Sequence, residues 1–187
     1  MVNTFVPFAD FQLIAKCLDK SRIFKQAVEA YQIIRILEVY EILEQLYNLP
    51  YKSGLVSVHL RTLYRQYQAS NQRLVRVETG FIILPVDEAL QRQSVIKLGF
   101  GLHPAVRMWY GYRPALMAYY NTMLTEAENR GVNTEMKYYE VKEYTLPHWW
   151  GWHCVHLSHR CSLKRKLPTH YTFTDKLMLL DYDWPVD

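Results

Sequence analysis

A single carboxylate, Asp19, stands among the cations Lys20, Arg22 and Lys25, close to the start of the chain. Two chemistries suit that grouping. At the start of a helix, unpaired N–H groups and the positive end of the helix dipole hold a carboxylate, and the cations are its ion-pair partners, with Glu29 also within reach of Arg22 or Lys25. In a reactive site, the same grouping sets one acid–base group in a field that attracts anions. A second grouping crowds the tail: His148, His153, Cys154, His156, His159 and Cys161. These are zinc-ligating types, but no C-x₂-C or H-x₃₋₅-H pair is matched by a second one. On a helix, His156 and His159 share one face, and Cys154 and Cys161 lie on another. Polar histidines and buried cysteines fit this better than a zinc site, so no metal ligand and no cofactor are expected.

The tail also carries the charge. Between His156 and Lys176 stand Arg160, Lys164, Arg165, Lys166 and Lys176 against Asp175 alone, which equals the whole formal excess of +4. A stripe of this kind suits an anionic polymer such as nucleic acid, or is a solvated helix face. Trp149, Trp150 and Trp152 could stack on bases or pack at the rim of a core. No phosphate-cradling glycine motif and no G-x-S-x-G is present.

The elements that must position these residues are mainly helical. Asp10 suits the cap of a short helix through Phe11, Leu13, Ile14 and Cys17. Asp19 or Ser21 caps a long one, with apolar residues at Ile23, Ala27, Ala30, Ile34 and Leu37, running to about Leu49 and ended by Pro50. A helix is expected around Leu55–Gln68, then a polar stretch, then a short strand or buried loop in LVRVETGFIILP. VDEALQRQSVIKLG reads as a further helix stopped by Gly99. A second long helix begins at Pro104 and ends at Gly131, with a kink or break near 111–113 before Pro114. A last helix covers His156–Lys166, ahead of Pro168.

The expectation is one all-α domain over residues 1–187, with an insertion at about 50–100. Half of the residues are hydrophobic (50%) and only 7 are Gly and 8 Pro, which suits a packed helical core. Three irregularly spaced cysteines imply no disulfide framework. No signal-peptide pattern and no apolar run of about 18 residues is present. An intracellular protein with no membrane partner is therefore expected.

Three segments, LDKSRIFKQAVEAYQI (18–33), HPAVRMWYGYRPAL (103–116) with RGVN (130–133), and SHRCSLKRKLPTHY (158–171), occur in an order that resembles the pyrimidine-dimer DNA glycosylase family, of the endonuclease V type. The likeness is greatest to its bacterial and large-virus branch and leaves residues 50–100 without a counterpart. The resemblance implies a compact set of helices around the chain's own start. It implies a glycosylase and abasic-site lyase acting on damaged or modified pyrimidines in double-stranded DNA, with a free α-amine as nucleophile. That amine belongs to Val2 once Met1 is removed, and to Met1 where it is kept. The family's essential carboxylate aligns with Asp19, its arginine with Arg22, and a histidine opening the middle helix with His103. Lys20, Lys25, His103, Arg107, His159, Arg160, Lys164, Lys166 and Tyr171 are the residues expected to meet nucleic acid. An α-amine with a pKa of about 7.7–8.0 is partly neutral near pH 7 and can attack C1′ as the base departs, giving a Schiff base. The alternative is a non-catalytic nucleic-acid-binding or assembly protein on the same scaffold. Its protein partner would meet the apolar tail KLMLLDYDW or the ring-rich run Trp109, Tyr110, Tyr112, Tyr119 and Tyr120.

Overall fold

The computed structural model of the chain describes residues 3–51, 55–78, 80–92, 94–175 and 180–186. The expected first helix is α1, Phe11–Cys17, capped by the Asp10 carboxylate, which accepts from the Leu13 N–H at 2.7 Å. The long helix, α2, spans Lys20–Leu46, with Asp19 as its cap and Ile23, Ala27, Ala30, Ile34 and Leu37 buried along one side. It stops short of Pro50 because Asn48 turns into the left-handed region at φ 49°.

The middle pattern divides in two. Helix α5 covers only Pro104–Arg107, and α6 covers Arg113–Asn129. The break falls where Gly111 takes φ +81°, a conformation that side-chain-bearing residues resist. Helix α6 ends in a double turn: the Gly131 N–H donates to Glu128 O and the Val132 N–H to Ala127 O. Helices α2 and α6 pack lengthwise, and the small residues Ala27, Ala30 and Ala127 in the core let their backbones approach. The last helix, α7, runs over His153–Lys166, one turn longer at its start than the pattern predicts.

Between α2 and α5 the chain builds α3 (Val56–Ala69), strands β1 (Gln72–Val77) and β2 (Gly80–Pro85), and a short α4 (Val86–Ala89). The two strands form an antiparallel hairpin, with Leu74 opposite Ile83 and Val75 opposite Ile82. The fold is thus mostly helical with one two-stranded sheet, not purely all-α. The helix expected over 86–99 ends after Ala89. Beyond it, Ser94 O accepts from the Arg76 N–H and the Ile96 N–H donates to Leu74 O, so this stretch pairs along β1. Helix α3 is tied to α2 by His59 Nε2 and Glu44 Oε1, 2.6 Å apart, and to α5 by an Arg107–Ser57 hydrogen bond.

Four rings of the run after α5 are core, and Tyr112 is half-buried. Trp109, Tyr119 and Tyr120 are fully buried and Tyr110 nearly so. Burial of such rings requires partners for their polar tips. Trp109 Nε1 donates to Thr4 Oγ1 at 2.8 Å and Trp149 Nε1 to Met108 O at 2.8 Å.

Candidate active site

The first described residues run extended through the middle of this core. Asn3, Thr4, Phe5 and Val6 are all buried. A buried extended segment must find partners for its backbone outside any sheet. The Phe5 N–H donates to Gln26 Oε1 (2.6 Å), and Phe5 O accepts from the Tyr119 hydroxyl (2.9 Å). The Val6 N–H meets His159 Nδ1 (3.4 Å), and Val6 O accepts from His156 Nδ1 (2.6 Å). Helices α2, α6 and α7 therefore grip the beginning of the chain on three sides.

The segment leads to a cavity of about 380 Å³ bounded by Asn3, Arg22, Lys25, Glu29, Lys166 and Tyr182. On α2, residues three and four apart lie on one face, so Arg22, Lys25, Gln26 and Glu29 line the same wall. Glu29 is its only carboxylate among the described residues and is 6% exposed. It accepts from the backbone N–H of Asn3 and from Gln26 Nε2 (2.9 Å), and Lys25 Nζ lies 3.9 Å away. Burial pushes its carboxyl above the ordinary range, and the Lys25 charge and these hydrogen bonds only partly offset that. Across the cavity the Tyr182 hydroxyl is bonded to the side chains of Ser162 and Asn3. Asn3 Oδ1 is buried with no partner among the described residues.

Asp19 occupies a different place. Its carboxylate accepts from the Ser21 N–H (3.0 Å), the Ser21 hydroxyl (2.5 Å), the Arg22 N–H (3.1 Å), the Tyr171 hydroxyl (2.6 Å) and the Arg22 guanidinium. Burial works against ionisation, but these donors and the Arg22 charge outweigh it and hold the carboxyl well below the usual range. It is a saturated helix cap. Ten residues at about 1.5 Å of rise each put it some 15 Å along α2 from Glu29.

The residues expected to meet nucleic acid divide. Lys20, Lys25 and Lys166 are exposed, and Arg22, Lys25 and Lys166 ring the cavity that holds Glu29. His159 and Tyr171 are fully buried and reach no solvent. Burial drives the His159 imidazole down to about 3, so it is neutral. Arg160 is spoken for: it forms a two-pronged pair with Asp175 (2.7 and 3.1 Å) and donates to Pro7 O. Lys164 Nζ donates to Phe173 O. His103 caps α5 through Nδ1, and Arg107 reaches Ser57. Val2 lies outside the described residues, as does the apolar stretch Leu177–Leu179.

Sequence reasoning passed over Glu29 as a member of the site and treated it only as an ion-pair partner. The available signal was its helical spacing from Arg22 and Lys25. Among the described residues, no three His, Cys, Asp or Glu side chains are grouped to hold a metal, and no helix is long and apolar enough to cross a membrane. In comparisons with known proteins, the family model described as pyrimidine dimer DNA glycosylase matches residues 2–140. No curated protein and no solved structure matches the chain.

Proposed function

Because the chain belongs to the pyrimidine dimer DNA glycosylase family, we propose that it excises a damaged or modified pyrimidine from duplex DNA and cleaves the abasic site through a Schiff base on the amine of Val2, with Glu29 as the reacting carboxylate. The observation that carries this reading is the hydrogen bond from the Asn3 backbone to Glu29 inside a cation-ringed cavity. Val2 is one peptide bond from Asn3, and consecutive Cα atoms are about 3.8 Å apart. That tether sets the reach of its amine toward Glu29.

The chemistry then balances as follows. The neutral amine attacks C1′, the C1′–N bond breaks, and its electron pair leaves with the base, which takes the proton of neutral Glu29. The adduct's ammonium proton passes to the carboxylate. Opening of the sugar ring, with a proton returned to O4′, leaves the iminium. Removal of a C2′ proton then expels the 3′-phosphate. A buried carboxyl whose pKa is raised holds its proton more readily than a free one, which suits a group that gives up a proton and takes one back. Lys25, Arg22 and Lys166 meet the flanking phosphates. We assign Asp19, which the resemblance aligned with the essential carboxylate, the supporting task of fixing Arg22 and the start of α2.

Borohydride trapping on an abasic-site duplex tests this. The expected result is a covalent adduct mapping to the chain start, lost in Glu29→Gln and retained in Asp19→Asn. Absence of an adduct on abasic and pyrimidine-dimer duplexes alike would overturn the reading, and loss in Asp19→Asn but not in Glu29→Gln would return the role to Asp19.

A further inference from the structure

Gln26 stands in the first third of α2, on the face that carries Arg22 and Glu29, and is 1% exposed. A buried amide carries an acceptor oxygen and two N–H donors, and leaving them unmet is costly. Here both ends are used. Oε1 accepts from the Phe5 N–H at 2.6 Å and from the Tyr119 hydroxyl at 3.0 Å. Nε2 donates to Glu29 Oε2 at 2.9 Å. These partners fix which way the amide faces. The Phe5 N–H can only donate, so it requires the oxygen, and the nitrogen is left for the carboxylate.

Tyr119 ties the arrangement to α6. It is fully buried, and its hydroxyl also lies 2.9 Å from Phe5 O, which accepts from it. One amide and one phenol therefore close on both polar groups of the Phe5 backbone. The same amide holds one oxygen of Glu29, whose other oxygen, Oε1, lies 3.9 Å from Lys25 Nζ. Its neutrality matters. A cation in its place would hold Glu29 ionised, and an apolar side chain would leave both the Phe5 N–H and the carboxylate short of a partner.

We propose that Gln26 is a positioning residue of the candidate active site, setting the separation and angle between the chain's opening backbone and Glu29, an inference that rests on the lyase reading for the reaction it serves. At 1% exposure it presents almost no surface to a DNA strand, so it acts through Phe5 and Glu29. A misplacement of about 1 Å between reacting groups can cost about 10²-fold in rate. The planar head of one side chain, bonded at both ends, keeps the backbone and the acid at a set distance.

Glu29 faces Arg22 and Lys25 from its own helix, Lys166 from α7 and Tyr182 from the tail, with Tyr119 of α6 near enough to feel its charge. None of these changes when Gln26 is replaced, so the difference between variants reads the amide.

The test uses the full chain, an abasic-site duplex and two variants. Gln26→Met keeps the length of the side chain and removes its hydrogen bonds, and Gln26→Glu keeps an oxygen toward Phe5. In single-turnover borohydride trapping, the maximal rate of Gln26→Met is expected to fall about tenfold or more. The concentration at half-saturation should stay within about twofold of wild type, because Arg22, Lys25 and Lys166 still meet the phosphates. The rate of Gln26→Glu relative to wild type is expected to rise as pH falls, because a protonated carboxyl donates to Glu29 as the amide does. By carbon-13 NMR, the Glu29 carboxyl is expected to titrate at higher pH in Gln26→Met than in wild type, because an N–H donor favours the charged form. A wild-type maximal rate in Gln26→Met, a Gln26→Glu ratio constant across pH, or an unmoved Glu29 titration would overturn the inference. If circular dichroism shows Gln26→Met unfolded, the Gln26→Glu ratio decides. Wild-type protein that gives no adduct defeats the lyase reading and this inference with it. A wild-type adduct alongside any of the three contrary results defeats this inference alone.

Discussion

The backbone N–H of Asn3 donates to the carboxylate of Glu29, joining the first turns of α2 to a peptide near the chain's beginning. The bond spans residues far apart in sequence and lies at the cavity that Arg22, Lys25 and Lys166 line. A carboxylate in this setting is costly to ionise, and groups perturbed in this way cluster at functional sites.

Glu29→Gln is therefore expected to lose activity and gain stability together. Single-turnover trapping on an abasic duplex should fall by about 10²-fold or more, the usual contribution of a positioned acid–base group. The folded-state pKa of Glu29 lies above the unfolded one, so ionisation opposes folding as pH rises past the ordinary value of 4.5. Urea midpoints should show the variant more stable than wild type at pH 7, with the difference vanishing below about pH 4 as the carboxyl becomes neutral in both states. Equal midpoints at pH 7 would contradict the assignment of a strained carboxylate.

Asp19 has the opposite sign. Its folded-state pKa is depressed, so its stabilisation is present above the unfolded value of 3.8 and is lost as pH falls below it. Asp19→Ala removes a cap and leaves Arg22 and the Tyr171 hydroxyl without their shared acceptor. A loss of about 2–4 kcal/mol at pH 7 is expected from urea unfolding, shrinking in acid.

Salt dependence separates the cations. Lys25→Gln and Lys166→Gln should each flatten the plot of log binding constant against log salt by about one unit per lost phosphate contact. Arg160→Gln should leave that slope unchanged and lower stability instead, because its guanidinium is held by Asp175 and by Pro7 O. Fluorescence anisotropy across a salt series, beside thermal melts, reads both.

His159 is buried with its titration driven to about 3. An imidazole that is neutral when folded but protonated when unfolded makes stability fall as pH drops from about 6.5 and level off near 3. His159→Gln, which can still accept from the Val6 N–H, should flatten that part of the stability profile. An unchanged profile would mean the imidazole is protonated within the fold.

What could be read from the chain alone follows the range of each interaction. The Asp10 and Asp19 caps, the break at Gly111 and the stop at Gly131 depend on neighbours within a few residues, and each was legible. The helix expected over 86–99 was not, because Ser94 and Ile96 give their backbone bonds to β1 instead, a tertiary pairing that overrides a helical period. Arg160 reads as a free cation of the basic stripe because Asp175 and the Pro7 carbonyl, which hold it, lie on other segments. Glu29 carried the right helical spacing, but only its remote backbone partner, Asn3, marks it out from an ordinary ion pair.

The clasp of Val6 by His156 and His159 joins positions separated by 150 and 153 residues. A nascent polypeptide emerging from the ribosome cannot close that clasp until α7 has been made. During synthesis the opening segment waits without its final neighbours, so the cavity around Glu29 is among the last parts of the molecule to mature, and products that terminate before α7 should give no borohydride-trapped adduct on an abasic duplex.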